Sequence, residues 1–133
     1  AQGAVLRTGG AAIDGPGWLF QPTVLTDVPA TARVMNEEPF GPVAVISRFH
    51  TYDEAIEQDN RLPFGLAAYA FTQSAKTAML VGEDLEAGMI GINSLMVGSA
   101  DAPFCGIKDS GHGVENALEG LEACLTVKQV TQG

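Results

Sequence analysis

The alternation of apolar and polar positions changes repeatedly along the chain, and each change marks an element. Residues 4–7 (AVLR) read as a short strand stopped by Gly9-Gly10. A Gly15-Pro16-Gly17 turn leads into a second extended segment, LFQPTVLTDV, in which Pro22 points to an edge position or a bend. Residues 43–49 (VAVISRF) are a β-branched run opened by Pro42, which predicts a strand buried on both faces.

Helical spacing takes over after that run. Thr51-Tyr52-Asp53-Glu54 has the form of a capping box, with Thr51 as N-cap and Glu54 reaching back. The helix runs to about Asn60 and Pro63 ends it. Residues 66–72 (LAAYAFT) predict a strand. Ser74 then caps a helix with apolar positions at Ala75, Ala78, Met79, Gly82 and Leu85. Gly88 stands where a helix C′ glycine belongs, and residues 89–93 (MIGIN) predict a further strand. Strand, helix, strand, helix, strand at this spacing predicts an α/β fold with a parallel βαβαβ core. Residues 94–113 read as a glycine-rich loop centred on Pro103-Phe104-Cys105-Gly106. A last helix is expected over residues 114–124, with Val114, Ala117, Leu118 and Leu121 on one face. The terminal LTVKQVTQ alternates like a strand and has no hairpin partner beside it. It must return to a distant sheet or pair with another subunit.

Composition narrows the function classes. The 133 residues are enough for a hydrophobic core, and 46% of them are apolar. The formal net charge is −9, with only 7 basic residues, which argues against nucleic-acid or anionic-membrane partners. Two cysteines, Cys105 and Cys124, are too few for a disulfide framework or a zinc site, so reduced thiols in a cytoplasmic protein are expected. No apolar stretch approaches the roughly 20 residues of a membrane span, and no signal peptide is evident. The lack of an initiator Met suggests a piece of a longer protein.

Several residues invite a chemical reading. Residues 36–43 (NEEPFGPV) place Glu37 and Glu38 before a proline-stiffened aromatic, Phe40. Adjacent side chains rarely aim at one target, so a paired acid/base mechanism is disfavoured and one inward carboxylate is expected. Glu38, immediately before Pro39, is pushed towards extended backbone. A carboxylate suits a vicinal diol such as a ribose, and a stiff aromatic suits a flat ring; a solvated charged turn is the bland alternative. Cys124 reads as a core residue on the apolar side of the last helix. Cys105 with His112 seven residues on makes a poor nucleophile pair, because nothing orients the histidine. His50 and His112 are isolated, so no metal constellation is expected. Neither a GxGxxG nor a GxxxxGK[ST] motif occurs.

Four stretches in register carry a resemblance: NEEPFGPVAVISRF, NRLPFGLAAYAFT, AGMIGIN and PFCGIKDSGHG. Together they resemble the NAD(P)-dependent aldehyde dehydrogenase family, over essentially the whole chain. The resemblance implies a C-terminal piece, with residues 1–113 forming the second half of a catalytic domain and 114–133 a terminal helix and oligomerisation strand. In that family an upstream cysteine attacks the aldehyde, and an upstream glutamate activates the water that hydrolyses the thioester. No catalytic residue then lies within this chain. By motif match, Glu38 resembles the residue that holds the nicotinamide-ribose hydroxyls, and Phe40 the one that packs by the nicotinamide. Leu66 resembles an apolar neighbour of the same end, and Phe104 an aromatic lining the site. Asn93 closes the strand before a loop in which Ser99, Ala100, Asp101 and Ala102 are placed for substrate selection. The final strand resembles one that extends a partner subunit's sheet, implying a homo-oligomer, dimer or tetramer.

Two departures stand out. Cys105 replaces the second glycine of the family's PFGG loop, which predicts backbone strain or an altered pocket. The run Gly113-Val114-Glu115-Asn116 lacks the arginine that many succinate-semialdehyde oxidisers carry there, although the ending still resembles the semialdehyde-oxidising branch. The expected function is aldehyde oxidation to a carboxylic acid with NAD or NADP, in which the isolated chain is inactive. The alternative is a non-catalytic acidic α/β module that oligomerises through its last strand. A hydrolase built on the Glu pair is disfavoured by the adjacency argument.

Overall fold

The computed structural model describes residues 2–133, and its backbone contacts divide the chain into two units, residues 1–48 and 49–133. In the first unit, β1 (Val5–Thr8) pairs antiparallel with β2 (Val24–Thr26), with an irregularity between Leu6 and Thr8. Arg7 crosses this ribbon, donating to Thr26 Oγ1 at 2.8 Å and pairing with Asp27 at 3.5 Å. Both charges are exposed, so the pair adds little stability. A bridge between Ala12 and Phe20 closes the Gly15-Pro16-Gly17 turn, while Trp18 at its tip is fully exposed. A one-turn 3₁₀ helix, Arg33–Met35, follows, beside the buried Ala32.

In the second unit the two N-cap signals hold. In α1 (Tyr52–Asn60) the Thr51 hydroxyl accepts from the Glu54 N–H at 3.2 Å. Glu54 does reach back, but its carboxylate takes the His50 N–H at 2.8 Å, one residue beyond the N-cap. In α2 (Ala75–Asp84) the Ser74 hydroxyl accepts from the Thr77 N–H at 3.2 Å. Caps of this kind supply acceptors to N–H groups that have no partner within the helix.

Helix α2 connects β4 (Ala67–Ala70) to β5 (Met89–Ile92), and the two strands pair parallel with Ala67 opposite Met89 and Ala70 opposite Ile92. The buried hydrophobic side chains of this βαβ unit are Ala68, Val81 and Met89. Burying a residue such as Val81 or Met89 contributes roughly 1.5–3 kcal/mol. The inward positions of α2 include Ala78 and Val81, whereas Met79, expected on that face, is 70% exposed. Two shorter pairs complete the unit. β3 (Phe64–Gly65) pairs with β7 (Ile107–Lys108), and β6 (Phe104–Cys105) with β8 (Val114–Glu115), both antiparallel. The last helix is α3 (Ala117–Glu122).

Four expectations are corrected. Of the predicted βαβαβ core, the first strand is missing: residues 43–49 make no ladder, and Val43, Val45, Ile46 and Phe49 are exposed. A strand exists only where a neighbouring segment takes its N–H and C=O groups, and no strand among the described residues pairs with it here. Gly88 does not cap α2, which ends at Asp84; a Cβ at Gly88 would instead run into the carbonyl of Cys105. The final helix starts at Ala117 rather than Val114, because Val114 and Glu115 are spent on the β6 pairing and Asn116 adopts φ +63°. Cys124 lies beyond that helix and is exposed, not core. Residues 125–133 carry no ladder, and Leu125, Val127 and Val130 are exposed.

Candidate functional site

The candidate residues fall in both units. In the first, the turn before NEEPFGPV is held from behind: Asn36 Nδ2 donates to the carbonyls of Ala30 and Ala32 at 2.7 and 2.8 Å. Glu37 is then taken by Arg33, whose Nε and Nη2 donate to the carboxylate at 2.7–3.1 Å. The hydrogen bond from Arg33 and its charge hold the Glu37 carboxyl below the usual glutamate range. Glu38 makes no hydrogen bond or ion pair with any described residue. Beyond it, Phe40 is 92% exposed, and the Val43 N–H closes a tight turn onto the Gly41 carbonyl at 2.8 Å. This geometry separates the two glutamates: one is committed to a pair with Arg33 and its neighbour has no partner among the described residues.

In the second unit, residues 99–102 form a tight turn immediately before Phe104. Ser99 and Ala102 are bridged, and the Ser99 hydroxyl donates to Asp101 Oδ1 at 2.6 Å. That bond, with a further one from its own backbone N–H, holds the Asp101 carboxyl below the usual range. The Ala100 carbonyl accepts from the Ala117 N–H at 3.1 Å, tying the turn to the start of α3. Ser99, Ala100 and Asp101 therefore share one turn, and the Phe104 ring lies beside Gly98 just before it.

Leu66 sits between β3 and β4, half exposed, and its carbonyl accepts from the Met89 N–H at 3.1 Å. Next to it, the Gly65 carbonyl accepts from the Gly88 N–H at 3.0 Å. Because Gly88 also abuts the Cys105 carbonyl, the strand leading to Leu66 and the strand carrying Phe104 are set by one glycine. Asn93 has φ +54° and joins strand end to strand end, its side chain exchanging hydrogen bonds with the Thr72 N–H and C=O at 2.9 Å.

The strain expected at Cys105 is absent: its backbone is not among the described residues with positive φ, and the half-buried Sγ lies 3.8 Å from the Gly88 carbonyl. His112 is exposed and has no bond to that thiol. Among the described residues no group of His, Cys, Asp or Glu is arranged to hold a metal ion, and no helix is long and apolar enough to cross a membrane.

Sequence reasoning missed Asn60 and Lys108. Asn60 Nδ2 donates to the Asp84 carbonyl at 2.7 Å, and its Oδ1 accepts from the Glu86 N–H at 2.8 Å, tying the ends of α1 and α2. Lys108 bonds to the end of α1. The available signal was slight: an amide at a helix end, and a basic residue in a loop of a chain with few of them.

The profile described as Aldehyde dehydrogenase family matches residues 1–130. A 4-(hydroxymethyl)benzenesulfonate dehydrogenase of Comamonas testosteroni is 49% identical over 118 residues, which is 89% of this chain and 25% of that protein. A succinate-semialdehyde dehydrogenase [NADP(+)] of Escherichia coli K12 is 44% identical over 132 residues, 99% of this chain and 27% of that protein. Among solved structures, a betaine aldehyde dehydrogenase of Staphylococcus aureus in complex with NAD+ matches with a TM-score of 0.79 at 38% identity. It covers 91% of this chain and 25% of that one. The chain thus spans about a quarter of the length of the relatives it matches.

Proposed function

The chain belongs to the aldehyde dehydrogenase family, and from that premise we propose that it is the C-terminal part of an enzyme oxidising an aldehyde to a carboxylic acid with NAD or NADP. The observation that carries this reading is the family match over residues 1–130, together with relatives that are named dehydrogenases and α/β structures of the same family. The nucleophilic cysteine, the general base and the dinucleotide-binding domain are assigned to the rest of the protein.

The residues present suit a nicotinamide cofactor. Glu38 has an unengaged carboxylate that can accept from both hydroxyls of a ribose, and Phe40 presents an uncovered ring. We assign Glu38 to the ribose at the nicotinamide end, and Phe40, Leu66 and Phe104 to apolar contacts around the ring. When bound, the cofactor supplies the hydride acceptor. The work of this chain is to hold that acceptor in one orientation, since a misplaced reacting atom costs rate steeply.

Ser99, Ala100, Asp101 and Phe104 are assigned to the aldehyde side. The semialdehyde branch is supported by the relatives' names, while Asp101 adds negative charge where an acidic aldehyde would carry its own. Residues 114–133 are proposed as a terminal helix and an oligomerisation strand, which the exposed and unladdered Leu125, Val127 and Val130 support. A cytoplasmic location fits two free cysteines.

The deciding experiment measures NAD(P)H formation by the full-length protein with succinate semialdehyde and with neutral aldehydes. Turnover dependent on aldehyde and on NAD(P)+ is expected. Its absence across the panel with both cofactors would sink the proposal.

A further inference from the structure

In the second unit one cation joins three segments. Lys108 Nζ donates to the carbonyls of Asn60 and Leu62 at 3.0 and 3.2 Å and pairs with Glu86 Oε2 at 2.6 Å. An ammonium has three donors, and all three are used. The lysine side chain is only 23% exposed, against 58% and 76% for the arginines of the surface pairs, although its partner Glu86 is 56% exposed. The Asn60 carbonyl belongs to the C-terminal end of α1, where carbonyls lack intrahelical partners and attract a cation.

The backbone makes an independent point. Lys108 has φ +54°, a left-handed conformation that glycine adopts freely and lysine does not. A side chain retained at such a position must offset the strain through its contacts. Around it, the backbone is in fixed register with the strand that leads to Leu66. Lys108 stands opposite Phe64, and Ile107 opposite Gly65. The Asp109 N–H donates to the Pro63 carbonyl at 2.8 Å, and the Gly65 N–H donates to Ser110 Oγ at 2.9 Å. Phe104 lies four residues before Lys108 on the same run.

Resting on the function proposed above, we propose that Lys108 is a positioning residue: its ammonium locks the segment carrying Phe104 onto the strand leading to Leu66. It does this by gripping the end of α1 and Glu86 at once. Without it, the Asn60 and Leu62 carbonyls and Glu86 lose a shared donor, and the two site segments lose their common anchor.

The test uses the full-length enzyme with Lys108→Met, Lys108→Arg and Asn60→Ala. Asn60→Ala removes the amide that ties α1 to α2 but keeps the backbone carbonyl that Lys108 uses. Lys108→Met is expected to raise KM for aldehyde and for NAD(P)+ about fivefold, with kcat within about threefold. It should also speed hydrogen exchange at the Gly65 and Asp109 amides. Lys108→Arg, which keeps charge and donors, should recover most of both effects, and Asn60→Ala should lower Tm while leaving both KM values in place. If Lys108→Met lowers Tm without moving either KM, the lysine is structural only and the proposal is overturned. If the wild-type enzyme oxidises no aldehyde, the functional reading fails on its own. Exchange at Gly65 and Asp109 then decides whether Lys108 holds the segment, unchanged rates overturning it. Should Lys108→Met not fold, Glu86→Gln is expected to raise both KM values about twofold, and unchanged values overturn the proposal.

Discussion

The Arg33 guanidinium holds the Glu37 carboxylate through Nε and Nη2, at 2.7–3.1 Å. The pair lies on the surface, and its worth is in assignment rather than stability. With Glu37 occupied, Glu38 is the acid that the proposed reading gives to the cofactor. Glu38→Gln in the full-length enzyme should lower kcat/KM for NAD(P)+ about tenfold, the usual effect of weakening hydrogen bonds to a charged group. Glu37→Gln should stay within about twofold. Equal losses in both variants, measured by steady-state kinetics, would contradict the assignment.

The isolated 133-residue chain should form no NAD(P)H with any aldehyde and show no heat of NAD binding by titration calorimetry. In the proposed reading it carries contacts for the nicotinamide end only, and association costs several kcal/mol before any contact counts. Measurable turnover by this chain alone would place the nucleophile within it.

Asp101, ionised and hydrogen-bonded to Ser99, should repel an aldehyde bearing a carboxylate. Asp101→Asn is expected to raise kcat/KM for succinate semialdehyde relative to butanal about two- to fivefold, an effect that shrinks as salt is added. Because its carboxyl is held below the ordinary value of 3.8, the Ser99–Asp101 bond should persist above that value. It should be lost as pH falls through the lowered one. A substrate ratio indifferent to both substitution and salt would remove Asp101 from the pocket.

Tyr52 donates to Asp84 Oδ2 at 2.7 Å, and loss of hydration together with that bond and the nearby carboxylates pushes its phenol up to about 12. Since the folded value is raised, the stabilisation is complete below the ordinary value of 10.0 and disappears as pH climbs through about 12. The Cζ resonance of Tyr52, identified by its loss in Tyr52→Phe, should titrate near the higher value. Asp84→Asn should bring it down.

Gly88→Ala should destabilise the protein by about 2 kcal/mol or more, because the added methyl meets the Cys105 backbone, which cannot swing aside. Cys105→Gly should cost only about 0.5–1 kcal/mol, since no positive φ is relieved there. Urea unfolding of each variant distinguishes the two.

What the sequence determined by itself is what a helix can settle locally. Thr51 and Ser74 announced the starts of α1 and α2, and both hydroxyls accept the expected N–H groups. A helix satisfies its own backbone within four residues, so its signals are contained in the segment that bears them. The residues 67–70 and 89–92 were legible for a related reason: the helix between them brings them side by side as parallel partners. Around Glu38 and Phe40 the sequence offered a motif and a proline that sets the chain direction, whereas the Arg33–Glu37 pair is visible only in the structure.

Tertiary structure decided the rest. Residues 43–49 carry a strong strand pattern but no ladder, because a strand's hydrogen bonds must come from another segment and none among the described residues supplies them. Val114 and Glu115 left the predicted helix for the same cause, since Phe104 and Cys105 offered them a pairing edge. Gly88 looked like a helix end and proved to be a point of backbone contact. Lys108 gave almost no sign, because its three acceptors lie some 20 to 50 positions away in sequence and meet only in the fold. Interactions along one helix are written in consecutive residues, whereas those between segments depend on which neighbours the chain brings together.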